Sequence, residues 1–196
     1  GRWDAAAMSS DGSKIAILDY YSGNSSISND AGVTWQKGTP NGNGVAMDAN
    51  GKTIAVAGGN CVNGTGLFTI STDGGITWNT KTVDANSHSC WQSVAMSADG
   101  QRILVIGSGG YMGESTVYLS ADQGSTWTPI SAGSQWGGYA VAMSADGSKL
   151  AFAVTSGSIY LSNDGGTTWH AQDALGTSSW RSLSMSADGS KIIAGV

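Results

Sequence analysis

Apolar residues in this chain come in short runs that alternate with Gly, Asp and Ser, a wavelength too short for amphipathic helices. Val94-Ala95-Met96 reads as a short strand of small residues ending at Asp99-Gly100, a dipeptide that supplies the positive φ of a tight hairpin. Ile103-Leu104-Val105-Ile106 is a continuous apolar run of the kind buried on both faces. Thr116 to Leu119 alternates outward and inward residues before another turn. The pattern predicts strand A, turn, strand B, loop, strand C, turn and strand D, with Trp127 at the entry to the last.

The same phrases return along the chain. One reads AAAMSSDGSKIAI from Ala5, GVAMDANGKTIAV from Gly44, SVAMSADGQRILV from Ser93, AVAMSADGSKLAF from Ala140 and SLSMSADGSKIIA from Ser182. Its methionines, Met8, Met47, Met96, Met143 and Met185, are spaced by 39, 49, 47 and 42 residues. A period in the forties without helical stretches suits an all-β propeller of four-stranded antiparallel blades. The Ala and Gly residues of strand A fit the crowded axis, where larger side chains collide. Expected blades span about 3–39, 40–84, 85–131 and 132–174, with a C-terminal half blade at 175–196.

The second repeated phrase is an octet: SNDAGVTW (Ser28 to Trp35), STDGGITW (Ser71 to Trp78), SADQGSTW (Ser120 to Trp127) and SNDGGTTW (Ser162 to Trp169). These octets resemble the Asp-box, or bacterial neuraminidase repeat, of sialidase-like propellers, and the resemblance covers essentially the whole chain. In such a hairpin the carboxylates of Asp30, Asp73, Asp122 and Asp164 accept backbone N–H bonds across the turn. Gly32, Gly75, Gly124 and Gly166 take the backbone conformation other residues avoid, and Trp35, Trp78, Trp127 and Trp169 pack between sheets. The role is structural, since one carboxylate per turn is too little for a calcium cage. No metal and no cofactor are expected.

The fifth repeat carries only strands A and B, and only Gly1 and Arg2 precede the first strand-A phrase. Three readings follow: a five-bladed ring closed with a half blade, a subunit that completes its neighbour by strand addition, or one piece of a longer propeller. The last two are favoured, because a bare edge after Ile192-Ile193 invites pairing. A homo-oligomer or filament joined through the half blade belongs to the same expectation.

Charge and cysteine content narrow the partners. Nine Lys+Arg against fourteen Asp+Glu give a net charge of −5, which argues against a nucleic-acid footprint. No apolar run has the length of a membrane span and no signal-peptide pattern opens the chain, so it reads as soluble and already processed. Cys61 and Cys90 fall in loops of blade two expected on one face, and a disulfide between them is preferred over two free thiols. Asn24 and Asn63 head N-glycosylation triplets in predicted B–C loops. These features, with the Ser/Gly/Thr-rich composition, lean towards a secreted or cell-surface protein.

The resemblance implies what a catalytic relative requires. Sialidases hold a carboxylate with three arginines and use a Tyr–Glu pair and an Asp on the face of the B–C and D–A loops. This chain has Arg2, Arg102 and Arg181, and Arg102 follows an A–B turn that belongs to the opposite face. The only Glu is Glu114, beside Tyr111 in a loop. Asp-box xyloglucanases work with two aspartates in a cleft between two propellers, and although Asp19, Asp84 and Asp173 lie on predicted loops of the right face, a second propeller is absent here. His88 and His170 stand alone, with no nucleophile motif around either.

A sialidase-like glycoside hydrolase is therefore the alternative to a non-enzymatic module that binds a glycan or a protein through its loops. Trp3, Trp91 and Trp180 recur five residues before the strand-A Met and read as interblade packing. Tyr20, Tyr21, Tyr111, Trp136 and Tyr139 do not recur, which makes them the candidate binding residues, because a site on a pseudo-symmetric scaffold is built from what differs between blades.

Overall fold

The computed structural model describes residues 3–19, 25–60, 65–84, 90–108, 115–130 and 137–196. Four antiparallel four-stranded sheets follow one another along the chain. Blade 1 holds β1 (Ala5–Met8), β2 (Ile15–Leu18), β3 (Ser26–Ser28) and β4 (Gln36–Lys37); blade 2 holds β5 (Gly44–Met47), β6 (Ile54–Asn60), β7 (Thr65–Ser71) and β8 (Asn79–Lys81). Blade 3 holds β9 (Cys90–Met96), β10 (Ile103–Ser108), β11 (Ser115–Ser120) and β12 (Thr128–Ile130). Blade 4 holds β13 (Gly138–Met143), β14 (Leu150–Gly157), β15 (Ile159–Ser162) and β16 (His170–Ala171). After a single 3-10 turn at Asp173–Leu175, which the strand pattern did not predict, β17 (Ser178–Ser179) pairs with β14. The half blade is a pair of strands, β18 (Ser182–Met185) and β19 (Ile192–Gly195).

Turn chemistry fixes the register. In blade 3 the Ser97 hydroxyl donates to Asp99, whose carboxylate accepts the Gln101 N–H at 3.0 Å, while the Arg102 N–H donates to Ser97 Oγ at 2.9 Å. The same Ser-x-Asp turn recurs at Ser9, Ser144 and Ser186. Blade 2 carries Asp48 instead of Ser, and its carboxylate takes the Lys52 and Thr53 N–H groups directly. These turns set the strand-A methionines opposite the first residue of strand B: Met8 on Ile15, Met47 on Ile54, Met96 on Ile103, Met143 on Leu150 and Met185 on Ile192.

Alternation along strand B then sorts the core between blades. Ile103 and Val105 pack towards blade 2 with Ala57, Phe68 and Ile70, whereas Leu104 and Ile106 pack towards blade 4 with Val141, Phe152 and Val154. All of these except Val141 are at most 1% exposed, so the hydrophobic stabilisation is concentrated at the junctions of blades 2, 3 and 4. The inner strands pack in sequence, β1 on β5, β5 on β9, β9 on β13 and β13 on β18; among the described residues no comparable packing joins β18 to β1.

Two devices tie the turns of neighbouring blades together on the lower face. A backbone belt runs from Ser10 N–H to Ala49 O, Ala49 N–H to Ala98 O, Ala98 N–H to Ala145 O and Ala145 N–H to Ala187 O, at 2.7–2.9 Å. Long cations cross the same junctions: Lys14 Nζ donates to Gly74 O, Arg102 Nη2 to Gly165 O and Lys149 Nζ to Asp188 O. Each reaches the next blade's turn, so Arg102 lies on the lower face as its place after the A–B turn predicts.

The octet tryptophans are packed at the inner junctions and exposed at the first blade. Trp78, Trp127 and Trp169 each pack on the preceding blade's core. Trp35 is 41% exposed, because among the described residues no sheet covers that face of blade 1. Trp3 departs from its expected interblade role for the same reason and is 56% exposed, whereas its counterpart Trp91 is 2% exposed, edge-on to Tyr118 with ring centroids 5.9 Å apart. Trp180 keeps the packing role, donating its Nε1–H to Gly157 O at 3.1 Å.

Candidate functional site

The inner strands converge on a cavity of about 510 Å³ whose lining comes from the starts of β1, β5, β9, β13 and β18. Its mouth is ringed by Asp4, Asn43, Gln92, Tyr139 and Arg181, each four residues before the strand-A Met of its blade. Below them lie Ala5, Gly44, Ser93, Ala140 and Ser182, small because the axis is crowded: a Cβ on Gly44 falls 3.0 Å from the Ser93 Cα. The layer below keeps to small residues in all five repeats, whereas the ring carries one anion, one cation, two amides and one phenol.

Local backbone geometry aims these side chains. Trp91 pairs with Gly107 and Ser93 with Ile106, leaving Gln92 as the extra residue of a bulge; Gly138 pairs with Val154 and Ala140 with Ala153, leaving Tyr139 in the same position. Such bulges re-aim a side chain at the rim of a sheet. The Asn43 N–H donates to Ala57 O and its Nδ2 to Trp91 O at 3.0 Å, which anchors the amide between two blades. The Asp4 N–H donates to Leu18 O and the Arg181 N–H to Gly195 O. The Arg181 guanidinium sits 4.7 Å from the centroid of the Tyr139 ring, an attraction of cation and π face that holds both side chains at the mouth. The arrangement can accept and donate hydrogen bonds, stack on a planar group and bind charge of either sign at separate points.

Of the five aromatic candidates read from the sequence, Tyr139 is in this ring, and Tyr20, Tyr21, Tyr111 and Trp136 lie outside the described residues. Asn24, Asn63, Cys61, His88, Glu114 and Arg2 lie outside them as well. Cys90 is 6% exposed, and there is no free cysteine among the described residues. Sequence reasoning missed Asp4, Asn43 and Gln92, and placed Arg181 on this face only as a possible member of an arginine clamp. The signal was there in the alignment of the five phrases, since five different polar residues stand at one fixed distance from the repeated Met.

The Asp-box side chains are committed to their own turns. Ser28, Ser71, Ser120 and Ser162 donate to the Asp carboxylates at 2.7–2.8 Å and accept from the N–H groups of Gly32, Gly75, Gly124 and Gly166 at 2.8 Å. Thr34, Thr77, Thr126 and Thr168 donate both hydroxyl and N–H to the same four carboxylates. Thr hydroxyl donation, followed by the Thr N–H and the Ser hydroxyl, lowers Asp30, Asp73, Asp122 and Asp164 to about 2. These carboxylates are hydrogen-bond hubs of a turn.

The requirements of glycoside cleavage are not assembled among the described residues. Arg102 is tied to the lower-face turns and Arg181 stands on the axis. Tyr118 donates its hydroxyl to Asp84, yet burial, and then that bond, push the phenol up to about 12, which keeps it protonated rather than nucleophilic. Asp19 is fully buried and Asp173 exposed. His170 is an exposed strand residue, as its place after the octet Trp predicts.

Radial four-stranded sheets, Asp-box turns and a polar axial mouth define a β-propeller of the bacterial neuraminidase repeat type. The chain belongs to the family described as photosynthesis system II assembly factor YCF48, whose family model matches residues 33–194. No curated protein matches it. Among solved structures it is similar to an ancestral GH74 enzyme (18% identity, TM-score 0.71, covering 100% of this chain and 29% of that one). It is also similar to YCF48 bound to D1 peptide (15%, 0.65, covering 99% and 64%) and to a chain of a nidogen/laminin complex (10%, 0.72, covering 93% and 68%). At these identities the likeness concerns the fold, and the chain spans less than two thirds of the first two structures. No helix among the described residues is long and apolar enough to cross a membrane.

Proposed function

We propose that the protein is a non-enzymatic interaction and assembly module that holds a segment of a partner protein across the axial mouth. The observation that carries this reading is the ring itself: a scaffold that repeats its strand-A phrase five times varies Asp4, Asn43, Gln92, Tyr139 and Arg181 at one structural position. Variation of polar chemistry on a rigid, repeated frame is how a pseudo-symmetric fold acquires one ligand in one orientation. Membership in an assembly-factor family supports the reading, as does a family-related propeller structure that holds a peptide.

A cavity of about 510 Å³ with opposite charges from different blades suits an extended peptide that presents an acidic group towards Arg181 and a donor towards Asp4. A glycan stacked on Tyr139 is the competing occupant. The Cys61–Cys90 bridge belongs to the same proposal: the burial of Cys90 and the absence of a free thiol among the described residues support it, and it goes with an oxidising, extracellular setting.

The test is selection of binders from a random peptide display library, run beside a glycan array and a turnover assay on sialosides and xyloglucan. The reading predicts enriched peptides whose binding falls by about ten-fold or more, about 1.4 kcal/mol, on Arg181→Ala or Tyr139→Ala. Glycan binding without peptide enrichment, or saccharide turnover, overturns it.

A further inference from the structure

We propose that Asn50-Gly51, in the A–B turn of blade 2, is a self-modifying site: the Gly51 nitrogen closes on the Asn50 side chain, and the asparagine is converted to aspartate and isoaspartate. Blade 2 is the exception among the five repeats. The third residue of the A–B turn is Asp11, Asp99, Asp146 or Asp188 in the others and Asn50 here, each followed by Gly. In those four turns a Ser hydroxyl donates to the carboxylate, which also accepts a backbone N–H two residues on. These bonds, the Ser hydroxyl first, hold all four carboxyls below the usual range, at about 2 for Asp11 and Asp146. An ionised carboxylate is a poor target for a nitrogen nucleophile. Asn50 is neutral and has ammonia as its leaving group.

The turn also arranges the reacting groups. Asn50 is exposed, and the Lys52 N–H donates to its Oδ1 at 2.8 Å. That donor faces the oxygen on which negative charge develops when Cγ is attacked. The Gly51 N–H donates to Asp48 O at 3.1 Å, the longest of the five such turn bonds, the others being 2.8–2.9 Å. Room to move separates this dipeptide from others of its kind. The chain has Asn-Gly pairs at Asn41, Asn43, Asn50 and Asn63, the last outside the described residues. Neighbouring backbone hems in two of them: a Cβ on Gly42 falls 2.6 Å from Ala57 O, and one on Gly44 falls 3.0 Å from Ser93 Cα. The nearest atoms to a Cβ on Gly51 all belong to side chains, Lys14 Cδ at 2.7 Å and Met47 Sδ at 3.1 Å among them, and both chains are unbranched and able to swing away.

In the reaction the Gly51 nitrogen loses its proton to solvent and bonds to Asn50 Cγ, the Cγ–Nδ2 bond breaks, and ammonia leaves with a proton. Water then opens the cyclic imide at either carbonyl, giving aspartate or isoaspartate at position 50. Water is consumed, ammonia is released, and nothing is oxidised or reduced. The product fits the turn worse than Asn50 does. Asp48 is 3% exposed and its Oδ1 also accepts the Lys52 N–H at 2.8 Å, so aspartate at position 50 sets two carboxylates on one donor. Isoaspartate adds a methylene to the backbone inside the turn. Ala49, between the two, holds the belt on both sides, accepting the Ser10 N–H and donating its own to Ala98 O. Conversion therefore loosens blade 2 from blades 1 and 3. None of the turn residues lines the axial cavity, so the inference stands or falls apart from the proposed function.

The experiment ages the folded chain of residues 1–196 in mildly alkaline heavy-oxygen water, beside the same chain in denaturant. Conversion is mapped by peptide mass spectrometry and by isoaspartyl methyltransferase labelling. In the folded chain Asn50 is expected to convert about ten-fold or more faster than Asn41 and Asn43, taking up solvent oxygen, and the three rates draw together in denaturant. Amide exchange in the converted protein is expected to quicken at Ser10 and Ala49 relative to Ala145, while an Asn50→Gln protein aged alongside keeps its original exchange. Equal folded-state rates at the three asparagines, or an Asn50 that stays intact while the denatured chain converts, overturn the site. Unchanged exchange at Ser10 and Ala49 in the converted protein overturns the loosening of the belt, and so does equal quickening in the Asn50→Gln chain.

Discussion

The two faces of this propeller are built from the same five repeats and follow opposite rules. On the lower face four of the five repeats present the same Ser-x-Asp turn and blade 2 replaces its Ser with Asp48, the belt from Ser10 to Ala187 links one blade to the next, and each Asp-box carboxylate is consumed by its own Ser and Thr. On the upper face the equivalent residues are Asp4, Asn43, Gln92, Tyr139 and Arg181, no two alike. Uniformity marks the part of the repeat that maintains the fold, because each junction needs the same geometry. Difference marks the part released from that demand and open to recognition.

The contrast breaks most visibly on the lower face. Gly166 has φ +91°, and a Cβ there meets Leu119 Cδ2 at 2.7 Å, so Gly166→Val combines backbone strain with overpacking. Denaturant titration should show a loss of about 4 kcal/mol. Trp169→Ala empties part of a junction core and should cost about 3 kcal/mol, whereas Trp35→Ala, at a face that no sheet covers among the described residues, should cost about half of that in the same titration.

Acid should act next, through the four Asp-box carboxylates. Their pKa values are about 2 in the folded state against an ordinary value of 3.8. A depressed folded pKa contributes stability that is full above the unfolded value and is lost as pH falls through the folded one. Thermal midpoints should therefore hold steady down to pH 3.8 and drop between there and pH 2, and Asp122→Asn should shallow that drop.

The smallest effect on stability is expected at the ring. Arg181→Ala should shift unfolding by no more than about 0.5 kcal/mol, the usual range for an exposed substitution, while weakening a selected peptide. A ring residue whose replacement unfolds the protein would erase the distinction between the faces.

Most of the fold is legible in the sequence for the reason that the lower face is uniform. Asp99-Gly100 and the octet ending at Trp127 each specify a turn, and the Met phrase sets the register of strand A on strand B without reference to distant contacts. Strand A of blade 3 nevertheless begins at Cys90 rather than Val94, because a bulge at Gln92 lets pairing continue past the point where alternation stops. The exposure of Trp3 is illegible locally as well. Its repeat position matches Trp91, and the difference lies in whether another sheet stands against it.

The candidate site is the least legible part. Its residues lie at or just before the starts of the inner strands, at a bulge in the case of Gln92 and Tyr139, where periodicity gives no direction to a side chain, and only the arrangement of the blades around an axis brings Asp4 and Arg181 to one cavity. Attention to aromatic residues alone finds Tyr139 and passes over its four polar neighbours.

Mapping a library-selected peptide by backbone amide chemical shifts is the most direct check that recognition resides on the axis. Perturbations should cluster at Asp4, Asn43, Gln92, Tyr139 and Arg181 and leave the Asp-box turns unmoved. Shifts centred on the lower-face turns, with those five amides silent, would contradict the account.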